Sequence, residues 1–173
     1  MYKWFKLLFE FEYMHHLIKI FLRSMYKIFT PKDFYSRISS STSFREDIVL
    51  GALSSLATAF STGLWFTFTA ELFGLGSAGG FNDLLLFTFL AMPSILMLTS
   101  VSAYVTKLCL YLMGEETSWR GHFKAYTLSL PSFFVPIQIP VVNIFAPFYI
   151  IYVQIRGVSE LTDTEMSKAA IGW

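Results

Sequence analysis

Apolar residues gather into four long runs, at about 48–70, 84–106, 123–139 and 141–157, separated by short polar segments. The first run carries no charge, and more than twenty residues rising 1.5 Å each suffice to cross a hydrocarbon core of roughly 30 Å. The second loses its lipid character at Lys107 but stays apolar to Met113, so its helix is expected to protrude into the interface. Pro93 should kink that helix unless neighbours satisfy the freed carbonyl. The third and fourth runs are short and carry Pro131, Pro136, Pro140 and Pro147. They read as two bent spans, with one re-entrant hairpin as the alternative. The pattern predicts an all-α integral membrane bundle of about four spans.

Ahead of the first run the period changes. Over residues 2–29, Glu12, His16, Lys19, Arg23 and Lys27 recur on one helical face, with Met14, Leu17, Ile18, Phe21, Met25 and Ile28 roughly opposite. A basic face backed by bulky apolar groups suits a helix lying in the membrane interface, where Lys19, Arg23 and Lys27 would meet anionic lipid. Packing on a partner subunit is the alternative. Thr30-Pro31-Lys32-Asp33 reads as the start of a short helix ending near Ile38, and Ser39–Ser43 as a polar hinge. The chain divides into a basic amphipathic segment, 1–45, and a transmembrane domain, 46–173. Its tail after Glu160 is too short to cross again.

Charge gives these spans an orientation. Eight of the thirteen Lys and Arg residues precede the first run; Lys107, Arg120 and Lys124 lie between the second and third, and Arg156 and Lys168 follow the fourth. The intervening loops, near Glu71–Asp83 and Ile139–Asn143, have none, a positive-inside pattern with both termini cytoplasmic. The membrane would be a prokaryotic plasma membrane or that of an organelle. Only 14% of residues are charged, against about 25% in soluble domains. A net charge of +1 makes no case for nucleic acid. The single cysteine, Cys109, excludes an internal disulfide, and no cleavable secretion signal is evident.

Gly51, Ser55, Ala59 and Gly63 repeat every four residues, a small-residue stripe that lets another helix approach closely. Trp65, Phe66, Phe68 and Phe73 crowd the outer end as an interfacial aromatic belt. The glycines of Gly74–Gly80 lack the Lys-Ser or Lys-Thr of a phosphate loop. His15 and His16 point about 100° apart on a helix and make poor joint metal ligands. Glu115 and Glu116 read as a solvated loop pair, and His122 as a residue at a cytoplasmic helix start. With Lys124 taken as a cytoplasmic flank, the spans carry no ionisable group of the kind that marks ion paths or buried catalytic sites. Gln138, Asn143 and Gln154 are the long polar side chains near membrane depth. No catalytic, cofactor-binding or metal-ligating residue is expected.

The stretch Gly114-Glu-Glu-Thr-Ser-Trp-Arg-Gly-His-Phe-Lys-Ala-Tyr-Thr-Leu-Ser-Leu-Pro131, with Pro147–Gly157 and the loop to Lys168-Ala169, resembles the Yip1 domain family. The helix Pro31–Ile38 sits where that family carries a comparable segment. The resemblance covers roughly 31–173 and implies a compact α-helical membrane domain, usually of five spans. Eukaryotic members bind small GTPases and act in vesicle traffic or membrane shaping. This chain stops at Trp173, where a fifth span would begin, and lacks the Asp-Leu-Tyr-Gly-Pro-like signature of the trafficking members.

The expected function is non-catalytic: a scaffold or accessory subunit among other integral membrane proteins. A Yip1-type trafficking or membrane-shaping adaptor is the alternative, and a channel, carrier or enzyme ranks below both.

Overall fold

The structure is a computed structural model that describes residues 15–16, 18–22, 35, 43–73, 81–133 and 140–173, the side chains of 132–133 and 140–143 excepted. Arg23, Lys27, Gln138, the side chain of Asn143, the 31–38 segment apart from Tyr35, and the 74–80 loop lie outside the described residues.

Every described element is helical. Helix α1 runs from Phe44 to Leu72. Its start is a capping box: the Ser43 hydroxyl accepts from the Glu46 amide, and the Glu46 carboxylate accepts from the Ser43 amide. Helix α2, Phe81–Leu112, continues through Pro93. Both are long and apolar enough to cross a membrane. They differ in exposure. Of the most apolar stretch of α1, 44% is buried, but only 17% of that of α2.

The third apolar run departs from expectation. Helix α3 spans Trp119–Ser129, starting earlier than 123 and stopping well short of 139. Ser118 caps it by accepting from the Gly121 amide at 3.1 Å. A 3-10 turn, Leu130–Phe133, replaces its continuation, because Pro131 has no amide hydrogen to extend the ladder. Eleven residues make a rod of about 17 Å, roughly half the hydrocarbon core. Helix α4, Pro140–Thr162, follows, and the short α5, Met166–Gly172, packs on α2 and α4.

All residues from His122 to Ser129 are buried, so α3 is the central element, packed by α1, α2 and α4. One side of the core joins Leu50, Leu128 and Val153 to Ile20 and Tyr35 of the N-terminal segment; the other joins Ala103, Leu110, Phe123 and Val158 to Ala169. Ile20 is thus docked on the chain's own bundle, while Ile18, Lys19 and Leu22 on the same stretch are exposed.

Candidate functional site: the charged end of the bundle

The first turns of α1 and α3 and the last turn of α4 meet at one end of the bundle, with Trp119 Nε1 donating to the Ser100 carbonyl of α2 at 3.5 Å. Asp47 belongs to the first turn of α1, where a carboxylate favours the helix dipole. It is 1% exposed. Its Oδ2 accepts from Arg120 Nε at 2.5 Å, and its Oδ1 lies 3.8 Å from Lys124 Nζ. Arg120 and Lys124 are one turn apart on α3, so both cations face the one carboxylate. Lys124 is 5% exposed. Treating Lys124 as a solvated flank is therefore corrected: buried charge does lie at the mouth of the bundle, made tolerable by pairing.

His122, between those cations in sequence, points elsewhere. Its Nε2 is 2.7 Å from the Thr117 hydroxyl, and its Nδ1 has no hydrogen-bond partner. Burial, with Lys107 nearby, pulls its pKa down from 6.5 to about 4, so the ring is neutral at neutral pH. Two further ion pairs brace the same end, Lys168 with Glu115 and Arg156 with Glu160. The first ties α5 to the loop after α2. Glu115 is thus partnered while remaining partly exposed, and Glu116 is exposed. Hydrogen bonding to Glu115 raises the pKa of Lys168. Trp173 Nε1 donates to Gln154 Oε1 at 2.9 Å.

Asp47, Glu115 and Glu160 are each engaged by a cation that ties two segments, or two turns, together. Among the described residues no group of three His, Cys, Asp or Glu side chains is close enough to hold a metal ion.

The stripe residues Gly51, Ser55, Ala59 and Gly63 are all buried. A Cβ on Gly51 would meet Phe123, Thr127 and Leu96 at 3.1–3.2 Å, and one on Gly63 would meet Leu84 at 2.6 Å. The helices that approach along the stripe are thus α2 and α3 of the same chain. Lys19, His15 and His16 are exposed, and Cys109 is a free, half-buried thiol. Sequence reasoning passed over Asp47. The available signal was an acid immediately before an uncharged run, answered by a lone lysine inside a later one. Compared with protein-family models, curated proteins and solved structures, the chain matches none.

Proposed function

We propose that the chain is a non-catalytic multi-pass membrane protein, acting as a scaffold or accessory subunit in a larger membrane assembly. The observation that carries this is the outward face of α2. Leu90, Met97, Val101, Tyr104 and Leu108 are all exposed and follow one another at steps of seven, four, three and four residues, with exposed Leu98 beside them. Such a continuous apolar face needs lipid or another membrane helix against it.

In this reading α1 and α2 cross fully, and α3 and α4 form the returning pair. The half-length of α3 favours the re-entrant form of that pair over two complete spans. Gly121, at the start of α3, lies against Thr162 and Leu161 at the end of α4, so the chain comes back to the end it left. The basic residues Arg45, Lys107, Arg120, Lys124 and Lys168 then share the cytoplasmic side. The N-terminal stretch, with Lys19 outward, rests on the interface near anionic headgroups.

Native purification in mild detergent, with co-purifying proteins identified and quantified, tests this function. A stoichiometric membrane partner is expected; a monodisperse, unaccompanied monomer would sink the reading.

A Yip1-type adaptor is the second reading. It is favoured by the Lys168–Glu115 ion pair, which joins the two stretches that carry the resemblance. GTPase binding by the native membrane protein would support it over the subunit reading.

A further inference from the structure

We propose that α5 is a hinged latch that closes the seam between α2 and α4 over the central helix α3, and that it opens as a unit while the rest of the bundle stays folded. Among the described residues α2 and α4 make little direct contact, and α5 packs on both. It runs back along α2. Lys168 pairs with Glu115, just past the end of α2, and a Cβ on Gly172 would stand 2.9 Å from Leu110 and 3.7 Å from the Thr106 carbonyl oxygen. On the other side, Trp173 Nε1 donates to Gln154 of α4. Ala169 is fully buried in the cluster that holds Leu110, Tyr126 and Val158. Beside this contact the Thr106 and Tyr126 hydroxyls, 2.6 Å apart, tie α2 to α3. An open latch therefore bares the flank of α3 and the tie that holds it.

The latch is weakly held. Met166–Gly172 is seven residues long, too short for a helix to persist without docking. Its start is uncapped, because Glu165 makes no side-chain capping bond. Its one ion pair is partly exposed on both sides, 41% and 29%, and such pairs contribute little. Ala169 and Gly172 bring α5 close but bury little side chain.

The turn before it belongs to α4. The Thr164 amide donates to the Ser159 carbonyl at 3.1 Å, and the Ser159 hydroxyl to the Thr164 carbonyl at 2.7 Å. The bonding of α5 begins afresh, from the Ala169 amide to the Glu165 carbonyl at 2.9 Å. The pivot lies between the two, at Thr164–Glu165. Asp163, at φ 53°, adds left-handed strain beside it. Elements with few buried contacts open at a lower free energy than the core they cover. The latch goes beyond the subunit reading and does not rest on it.

The chain is purified in mild detergent with Cys109→Ser as background. Single cysteines replace Ala169, buried on α5, Ala170, exposed on the same helix, and Ser129, buried at the far end of α3. Maleimide labelling is followed over time under native conditions. Ala169→Cys should react more slowly than Ala170→Cys and much faster than Ser129→Cys. Adding Glu115→Gln should speed Ala169→Cys about two- to fivefold and leave Ser129→Cys unchanged. Adding Gly172→Leu, which drives a side chain against Leu110, should bring Ala169→Cys to the rate of Ala170→Cys. One common rate for Ala169→Cys and Ser129→Cys would mean that α5 leaves only when the whole chain unfolds, and it overturns the latch. So does an Ala169→Cys rate indifferent to Glu115→Gln. Hydrogen exchange on the unsubstituted chain reads the same opening without a mutation. The α5 amides should be less protected than those of α3, and equal protection overturns the proposal.

Discussion

Asp47 on α1 and Lys124 on α3 stand 3.8 Å apart with both side chains buried, and 77 positions of sequence separate them. Arg120 reaches the same carboxylate from its half-exposed position. This is a lock between the first membrane helix and the central half-helix. Removing one partner of a buried pair leaves an uncompensated charge, which costs about 3–5 kcal/mol. Asp47→Asn, which strands the buried Lys124, should therefore lower stability strongly, and Lys124→Met should cost less because Arg120 still holds the carboxylate. The double variant should recover much of the loss, since a buried pair exchanged for neutral groups is often near neutral. A double-mutant cycle by denaturant titration in detergent checks this. Additive losses would mean that the pair is not coupled.

His122 sets a pH dependence. Its folded pKa of about 4 lies below the ordinary 6.5. Between those values the unfolded chain binds the proton and the folded chain does not, so stability rises with pH across that window. The contribution is complete above pH 6.5 and is lost as pH falls toward about 4. Thermal melts at pH 7 and pH 5 should differ for the wild type. His122→Gln keeps a polar partner for Thr117 without titrating, and it should flatten that difference. An unchanged pH slope in the variant would assign the effect to other groups.

Gly157 tests the docking of the N-terminal segment. A Cβ there would stand 2.8 Å from the Tyr35 ring and 3.0 Å from the Ala125 Cβ. The ring can give way, but Ala125 sits on the buried α3 and cannot. Gly157→Ala should cost about 1–3 kcal/mol, as overpacking does in tight cores. Limited proteolysis should then cut the variant faster near residue 35. Wild-type protection at that segment would argue against the contact.

The two long helices were legible because an uncharged run of more than twenty residues has few other fates in a folded protein. The capping box at Ser43 and Glu46 sharpens a start that hydropathy alone put at 48. Helix α3 was not legible in the same way. Its buried stretch includes His122, Lys124, Thr127 and Ser129, which composition reads as a wet flank. Packed on three sides, the helix buries its polar residues along with its apolar ones, so the polar positions do not mark a solvent face. The central lock was hidden for a related reason. Asp47 serves equally well as an exposed first-turn acid, and only the arrival of Arg120 and Lys124 distinguishes the two.

Sidedness is open to direct measurement. With Cys109→Ser as background, single cysteines at Phe73, Glu116 and Asp163 report the outer end of α1, the loop after α2 and the turn after α4. All three positions are exposed. The basic residues cluster with Glu116 and Asp163, and positive charge is retained on the cytoplasmic side. In intact cells, or in sealed right-side-out vesicles, a membrane-impermeant maleimide should label Phe73→Cys alone. Glu116→Cys and Asp163→Cys should react only after permeabilisation. Labelling of Asp163→Cys from outside would mean an odd number of crossings. It would separate the start of α3 from the end of α4, against the contact of Gly121 with Leu161 and Thr162. Labelling of Glu116→Cys from outside would reverse the whole orientation, placing the Asp47–Arg120–Lys124 lock on the outer face.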